Sequence, residues 1–382
     1  MKNFKLCPLG QFTAANAREG TPCSFHITAY LKQAIDPARL QQAVTDVFMH
    51  VPWLSHRMQW GYFAYRYESL PPPEIVPTST PHQFTAYFKH GPGHCIRVLY
   101  GERHFTVENI HSMVDGRGLS QITRAILLRY FGHEINLPQS DESGYARFYN
   151  PKKKSPNVLL GRPESYIMQP EPNAATKIIS QNFNLNQLKH AAKAHSCTIS
   201  EFMLAQIFLA IAQQRPSSNA LPIAAMLPID FRSFFPIKTV RNFVGFKHIT
   251  MPETAQLPEV IAGLHTQFSA INEDHVQGSI NEMQGLINKT AWVPFALKKL
   301  VIRLAEHSES KSLTTVFSNL GKITLPPEVE QQLENLEFVI DLEASSSCFS
   351  CVTAGDVLTL TVTTACTEAE QLARDTFARL RS

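Results

Sequence analysis

Residues 103–120 of the chain read RHFTVENIHSMVDGRGLS and place His111, Asp115 and Gly116 side by side. An imidazole, ordinarily titrating near 6.5, is the side chain suited to taking a proton at neutral pH. A base of this kind has to reach the substrate. A carboxylate four residues on suits a separate task, holding an arginine and bracing the loop without touching the reactants. In a chain with fifteen histidines, His-x-x-x-Asp-Gly arises by chance in on the order of one such sequence in twenty. The elements around it therefore decide how much weight it carries.

Those elements are favourable. HFTVENI alternates apolar and polar residues, the period-2 signature of a half-buried strand. From Leu119 the spacing changes: Leu119, Ile122, Ile126, Leu127 and Tyr130 fit one face of a helix ending near Gly132. His111 thus falls at a strand-to-helix connection. Upstream, FHITAYLK (25–32) reads as a strand, Asp36-Pro37 as the cap and first turn of a helix, YFAYRYE (62–68) as a further alternating run, and HCIRVLYG as the strand before the motif. Between about 136 and 176 six prolines and few periodic apolar residues predict an extended connection. Beyond it, 184–194 predicts a helix, and Thr198-Ile-Ser-Glu201 is a capping box opening a buried one. LPIAAMLPIDF (221–231) is a buried strand running into Arg232, and amphipathic helices are expected at about 257–272 and 279–305. VFSNLG, EFVIDLE, SCFSCVTA and DVLTLTVTTA follow, then a final helix opened by Thr367-Glu-Ala-Glu370.

The His-x-x-x-Asp-Gly stretch resembles the signature shared by nonribosomal peptide condensation domains, plant-type BAHD acyltransferases and the chloramphenicol acetyltransferase-like fold. Condensation domains usually carry two adjacent histidines; here the first position is Ile110 and the second His111. HVPWLSHRM is similar to the turn that ends a helix in the N-terminal lobe of that family. LPIDFRSFFPIKTVRNFVGF resembles a strand end followed by an x-N-x-x-G-x-F loop, and FSNLGKITLPPEV resembles the Ser-Asn-Leu-Gly turn of alcohol acetyltransferase-like members. These segments occur in family order over nearly the whole chain. Two departures stand out: Asp-Phe-Gly-Trp-Gly is absent, against a plant-type enzyme, and the chain is shorter than a modular condensation domain.

The resemblance implies a mixed α/β protein of two chloramphenicol acetyltransferase-like lobes, residues 1–150 and 177–382, joined by an extended linker at 151–176, with a tunnel between them. It implies that His111 is the general base, acting without a covalent acyl-enzyme, for transfer from acyl-CoA or an acyl carrier protein to a hydroxyl. An amine acceptor on a carrier-bound acyl group is the alternative, and a catalytically inactive binding module the third. Asp115 would pair with an arginine of the other lobe, Arg232 first and Arg241 second, or merely cap the helix. Gly116 would allow close approach of the donor or a turn with φ > 0. Ser318 and Asn319 would donate to the oxyanion, or Asn319 and Gly321 would only shape a turn. Ser318 lacks the G-x-S-x-G elbow that would expose a nucleophile.

Composition sets outer bounds. The 382 residues, 44% hydrophobic and 18% charged, fit a globular protein with substantial cores. A formal charge of +3 gives no case for nucleic acid, and Lys152–Lys154 reads as a solvated run. MKNFKLCPLGQF has no apolar core of signal-peptide length and MLAQIFLAIA is about half a membrane span, so a cytoplasmic protein is expected, and two lobes paired within one chain would make a monomer sufficient. Seven scattered cysteines argue against a disulfide framework. Cys348 and Cys351 sit at an odd separation in a strand, which sends their thiols to opposite faces, and no metal or cofactor is expected.

Overall fold

A computed structural model describes residues 6–16, 23–59, 61–82, 93–153, 162–171, 175–251, 256–342 and 345–381. Parts of the expected linker, at 154–161 and 172–174, and Lys154 of the basic run lie outside the described residues. In chain order the strands of the first half are β1 (Ser24–Leu31), β2 (His56–Gln59), β3 (Arg66–Ser69), β4 (Val76–Pro77), β5 (Ile96–Tyr100) and β6 (His104–Ile110). The second half has β7 (Lys177–Asn184), β8 (Ile223–Asp230), β9 (Val244–Met251), β10 (Thr315–Lys322), β11 (Leu333–Ile340), β12 (Ser347–Ala354) and β13 (Val357–Thr364).

The first sheet runs β11-β1-β6-β5-β4 and the second β7-β13-β12-β10-β8-β9, while β2 and β3 form a hairpin. Alternation explains the first. Phe25, Ile27 and Ala29 of β1 and Phe105 and Val107 of β6 face Leu40, Val44, Val47 and Phe48 of the Pro37–His50 helix and Leu119, Ile122 and Ile126 of the Gly116–Tyr130 helix, all in one core. His26, Thr28, Thr106 and Glu108 have the opposite parity and form a buried polar layer, with Thr28 bonded to Thr106 at 2.8 Å. The second sheet is buried on one face by the helices Leu185–Ala194, Ile199–Gln214, Leu257–Ser269 and Ala369–Arg379. Thr198 caps the second of these through the expected capping box with Glu201. Cys348 and Cys351 lie in separate clusters on the two faces of β12.

One strand crosses between the halves. β11, from the stretch expected to belong wholly to the second lobe, pairs antiparallel with β1, Phe25 opposite Ile340 and Thr28 opposite Glu337. Its alternation suits either sheet, so only long-range pairing assigns it. A few local readings also change. The 62–68 run is a strand only from Arg66, because Tyr65 turns inward and donates to the Ala14 carbonyl at 2.8 Å. The helix expected at 279–305 is two, Glu273–Lys289 and Phe295–Glu309, broken before Pro294, whose ring nitrogen cannot donate. The last helix begins at Ala369 rather than at a Thr367 cap. Ser-Asn-Leu-Gly is the end of β10, with a register shift after Asn319 and Gly321 at φ +70, rather than a free turn.

Candidate active site

His111 is the first residue past β6. Its backbone is pinned on both sides: the N–H donates to the Cys23 carbonyl at 2.9 Å, and its carbonyl accepts from the Asn242 side-chain amide at 2.8 Å. Phe25 stands edge-on to the imidazole with centroids 4.7 Å apart, and Phe338 stands edge-on to Phe25. Nδ1 is buried with no partner in hydrogen-bonding geometry, while the residue as a whole keeps partial exposure. Burial pulls the imidazole below its ordinary pKa of 6.5, opposed by Asp115, by the residue's own carbonyl and by Asn242. The ring is therefore neutral at pH 7 and able to accept a proton.

Asp115 has its carboxylate fully committed elsewhere. Oδ1 accepts the N–H of Gly118 at 2.7 Å and so caps the Gly116–Tyr130 helix. Oδ2 accepts the Phe243 N–H at 2.7 Å and Nη1 of Arg232 at 3.0 Å. The pairing and capping readings thus describe the two oxygens of one group. A carboxylate with three donors, 2% exposed, is held in place rather than presented to a ligand.

Arg232 occupies the short turn after β8 that Asp230 caps. Besides Asp115 it bonds Asp230 at 2.8 Å and the carbonyls of Thr239, at 3.2 Å, and Arg241. Burial alone would lower its pKa; Asp115 and Asp230 more than offset that and keep it above the ordinary value. Arg241, the second candidate, contributes its backbone instead, and its Nη1 donates to the Asp141 carbonyl at 2.6 Å. The chain from Thr239 to Phe243 is in this way clamped onto the motif. Val114 and Arg241 form a β-bridge, and the Asn242 N–H donates to the Met113 carbonyl at 3.2 Å.

Two glycines show how closely the parts meet. A Cβ on Gly118 would lie 2.0 Å from the Val240 carbonyl oxygen, so any side chain there would push the two loops apart. At Gly116 the backbone is not left-handed, which removes the φ > 0 reading. A Cβ there would meet Cδ2 of Leu320 at 2.7 Å, so the close neighbour in the structure is a side chain of the Ser-Asn-Leu-Gly segment.

Ser318 shares the face of β10 with Leu320 by strand alternation and is 7% exposed. Asn319 faces the other way: its Nδ2 donates to Ser200 Oγ at 3.1 Å, and its Oδ1 accepts the Gly321 N–H at 2.8 Å. Among the described residues no hydrogen bond joins Ser318 or Asn319 to His111. Asn242, Gly118 and Phe25 went unassigned in the sequence. Asn242 stood in RNFVGF, the loop of the resemblance, and that was the available signal. No cluster of three or more His, Cys, Asp or Glu able to hold a metal ion occurs among the described residues.

A search of curated proteins finds no match. Among solved structures the chain is similar to trichothecene 15-O-acetyltransferase from Fusarium sporotrichioides, at TM-score 0.69 and 11% identity over 98% of this chain and 94% of that one. It is similar to F. sporotrichioides TRI101, solved with coenzyme A and T-2, at TM-score 0.68 and 12% identity over 97% and 96%. A third likeness is polyketide synthase associated protein 5 from Mycobacterium tuberculosis, at TM-score 0.64 and 12% identity over 99% and 97%. At such identities these establish the fold, that of the chloramphenicol acetyltransferase-like and condensation proteins. The family model for alcohol acetyltransferase matches residues 108–380, from the end of the strand that leads into His111 to the last helix. The chain belongs to the alcohol acetyltransferase family and is an acyltransferase.

Proposed function

We propose that the enzyme moves an acyl group from a thioester, on coenzyme A or a carrier protein, to a hydroxyl, with His111 as general base. The observation that carries this reading is the division of labour in the motif: a neutral, partly exposed imidazole beside a carboxylate whose oxygens are all used on Gly118, Phe243 and Arg232. The acceptor O–H gives its proton to the imidazole as its oxygen attacks the thioester carbonyl. The tetrahedral intermediate then collapses, the C–S bond breaks, and the leaving thiolate takes the proton back from the imidazolium. No acyl-enzyme forms and no resident cofactor is required. Ser318, on the face of β10 next to Gly116, is the proposed oxyanion donor; Asn319, turned toward Ser200, is the weaker one. The coenzyme A held by TRI101 supports an acyl-CoA donor.

The test is free-thiol release by purified protein given acetyl- to long-chain acyl-CoA or an acylated carrier protein, each with an alcohol or an amine mixture. Release that needs an alcohol and disappears in His111→Ala supports the reading. Release with amines alone would replace the ester product by an amide, and unchanged turnover in His111→Ala would remove the base.

A further inference from the structure

The strand that crosses between the halves ends beside the catalytic loop. Past the Phe25–Ile340 pair, the Asp341 N–H donates to the Ser24 carbonyl at 3.1 Å, and Ser24 lies opposite Ile110, the residue before His111. Cys23, the residue before Ser24, joins the two. Among the described residues only Cys23 and Ser196 combine a side chain with a positive φ, Cys23 at +53. L side chains rarely adopt that conformation, and it persists where the surroundings fix it. Here contacts on both sides do so. The Cys23 carbonyl accepts the His111 N–H at 2.9 Å, and the Cys23 N–H donates to the Asp341 carboxyl. The Leu342 N–H, 2.8 Å from Oδ1, holds that carboxyl in turn.

Asp341 is 4% exposed, and burial raises its carboxyl to about 7, with Glu108 adding to the rise. Once ionised, the group therefore weakens the fold. A buried acid that costs stability and stands two hydrogen bonds from the imidazole's own backbone fits a group kept for function. An apolar residue in its place would leave the Cys23 N–H without an acceptor. The backbone there could then relax toward negative φ and carry its carbonyl away from the His111 N–H.

We propose that Asp341 is a positioning residue for the reaction: by holding Cys23 in its left-handed conformation it fixes the carbonyl that anchors His111, an inference that rests on the reading of His111 as the base. The experiment compares Asp341→Leu, which has no acceptor, with Asp341→Asn, which keeps one. Both are measured at pH 8 in the full chain by steady-state thiol release and by hydrogen exchange of the peptide carrying His111, with a cooperative urea transition as the check on folding. Asp341→Leu should lose about tenfold or more in kcat with KM kept, and exchange around His111 should quicken; Asp341→Asn should stay within about twofold of wild type in both. Should Asp341→Leu fail to fold, Asp341→Ala takes its place. Wild-type kcat and exchange in the variant without an acceptor, equal losses in both variants, or a rise in KM alone would overturn the proposal. The other link is tested at Cys23. Cys23→Gly takes the same φ freely and should keep kcat, while Cys23→Val resists it and should lose kcat; equal rates or the reverse order would overturn the proposal. If wild type releases no thiol from any donor, quickened exchange in Asp341→Leu still supports the anchoring and unchanged exchange overturns it, which separates this inference from the base reading.

Discussion

Replacing Arg232 by Met keeps most of the side-chain volume and removes the charge that ties the turn after the 223–230 strand to the His111 loop. The pair it breaks is buried, with side chains 10% and 3% exposed. Removing one partner of a buried ion pair costs about 3–5 kcal/mol, because the other charge is left uncompensated. Asp115 would still keep its two backbone donors, which favours the lower end. Against that, the carbonyls of the buried Thr239 and Arg241 each lose a donor, at about 1–3 kcal/mol for a buried acceptor left unsatisfied, while the partly exposed Asp230 keeps the backbone N–H of residue 232. These losses overlap, so Arg232→Met should destabilise by about 3–5 kcal/mol, a large share of the roughly 5–15 kcal/mol typical of a folded domain. Urea unfolding of wild type, Arg232→Met, Asp115→Asn and the double variant would measure it, with the double variant costing clearly less than the two singles together. Initial rates on the folded fraction complete the set. A wild-type unfolding midpoint for Arg232→Met would refute the bracing argument. So would an Asp115→Asn protein of full stability that had lost its rate, since the carboxylate would then be acting on the reactants.

Other expectations follow from the same geometry. The imidazole of His111 is held below 6.5 by burial, so the acid limb of kcat/KM should have its midpoint below 6.5; a midpoint above 7 would contradict a desolvated base. Gly118→Ala should lower stability by about 2–3 kcal/mol through the clash with the Val240 carbonyl, whereas Gly116→Ala meets only a movable leucine methyl and should cost less in a paired thermal melt. Asp341, 4% exposed with Oδ2 unpartnered, has its pKa raised from 3.8 to about 7, chiefly by burial. In the unfolded chain this group ionises near 3.8 and in the folded one only near 7. Between these values the folded state binds more protons, so the group penalises folding increasingly as pH rises, up to about 7. Asp341→Asn should therefore stabilise at pH 8 by about 1–3 kcal/mol and give no such gain at pH 3.5, compared by urea midpoints at the two pH values. His26 shifts the other way, lowered to about 3 by burial. Its contribution is present above the ordinary 6.5 and fades as pH falls toward 3. His26→Asn should accordingly flatten the loss of stability between pH 6.5 and 4.

Much of the fold was legible because local rules and global packing agree. The alternation at 104–110 and the 3.6 spacing after Leu119 put a strand and a helix where they stand, and Gly132 at φ +88 ends that helix. The Asp36 and Thr198 caps were readable in the same way. Legibility failed where a remote partner outweighs the local signal. Tyr65 leaves the expected strand to reach the Ala14 carbonyl. Asn319, read as an oxyanion donor or as a residue that shapes a turn with Gly321, accepts the Gly321 N–H but spends its amide on Ser200 of the remote Ile199–Gln214 helix.

By itself the chain order determined which groups can meet only locally: His111, Asp115 and Gly116 on one connection, with the carboxylate able to cap the helix that follows it. Tertiary structure decided the rest. The choice of Arg232 over Arg241 depends on which guanidinium the turn after the 223–230 strand aims at Asp115, and both lie more than a hundred residues away. Likewise strand 333–340 carries an alternation that either sheet could accept, and its pairing with residues 24–31 is set by which edge is open once both sheets exist. Spacing along the chain constrains near neighbours through backbone geometry. Distant partners are chosen by burial and by the satisfaction of buried polar groups, which exist only in the assembled core.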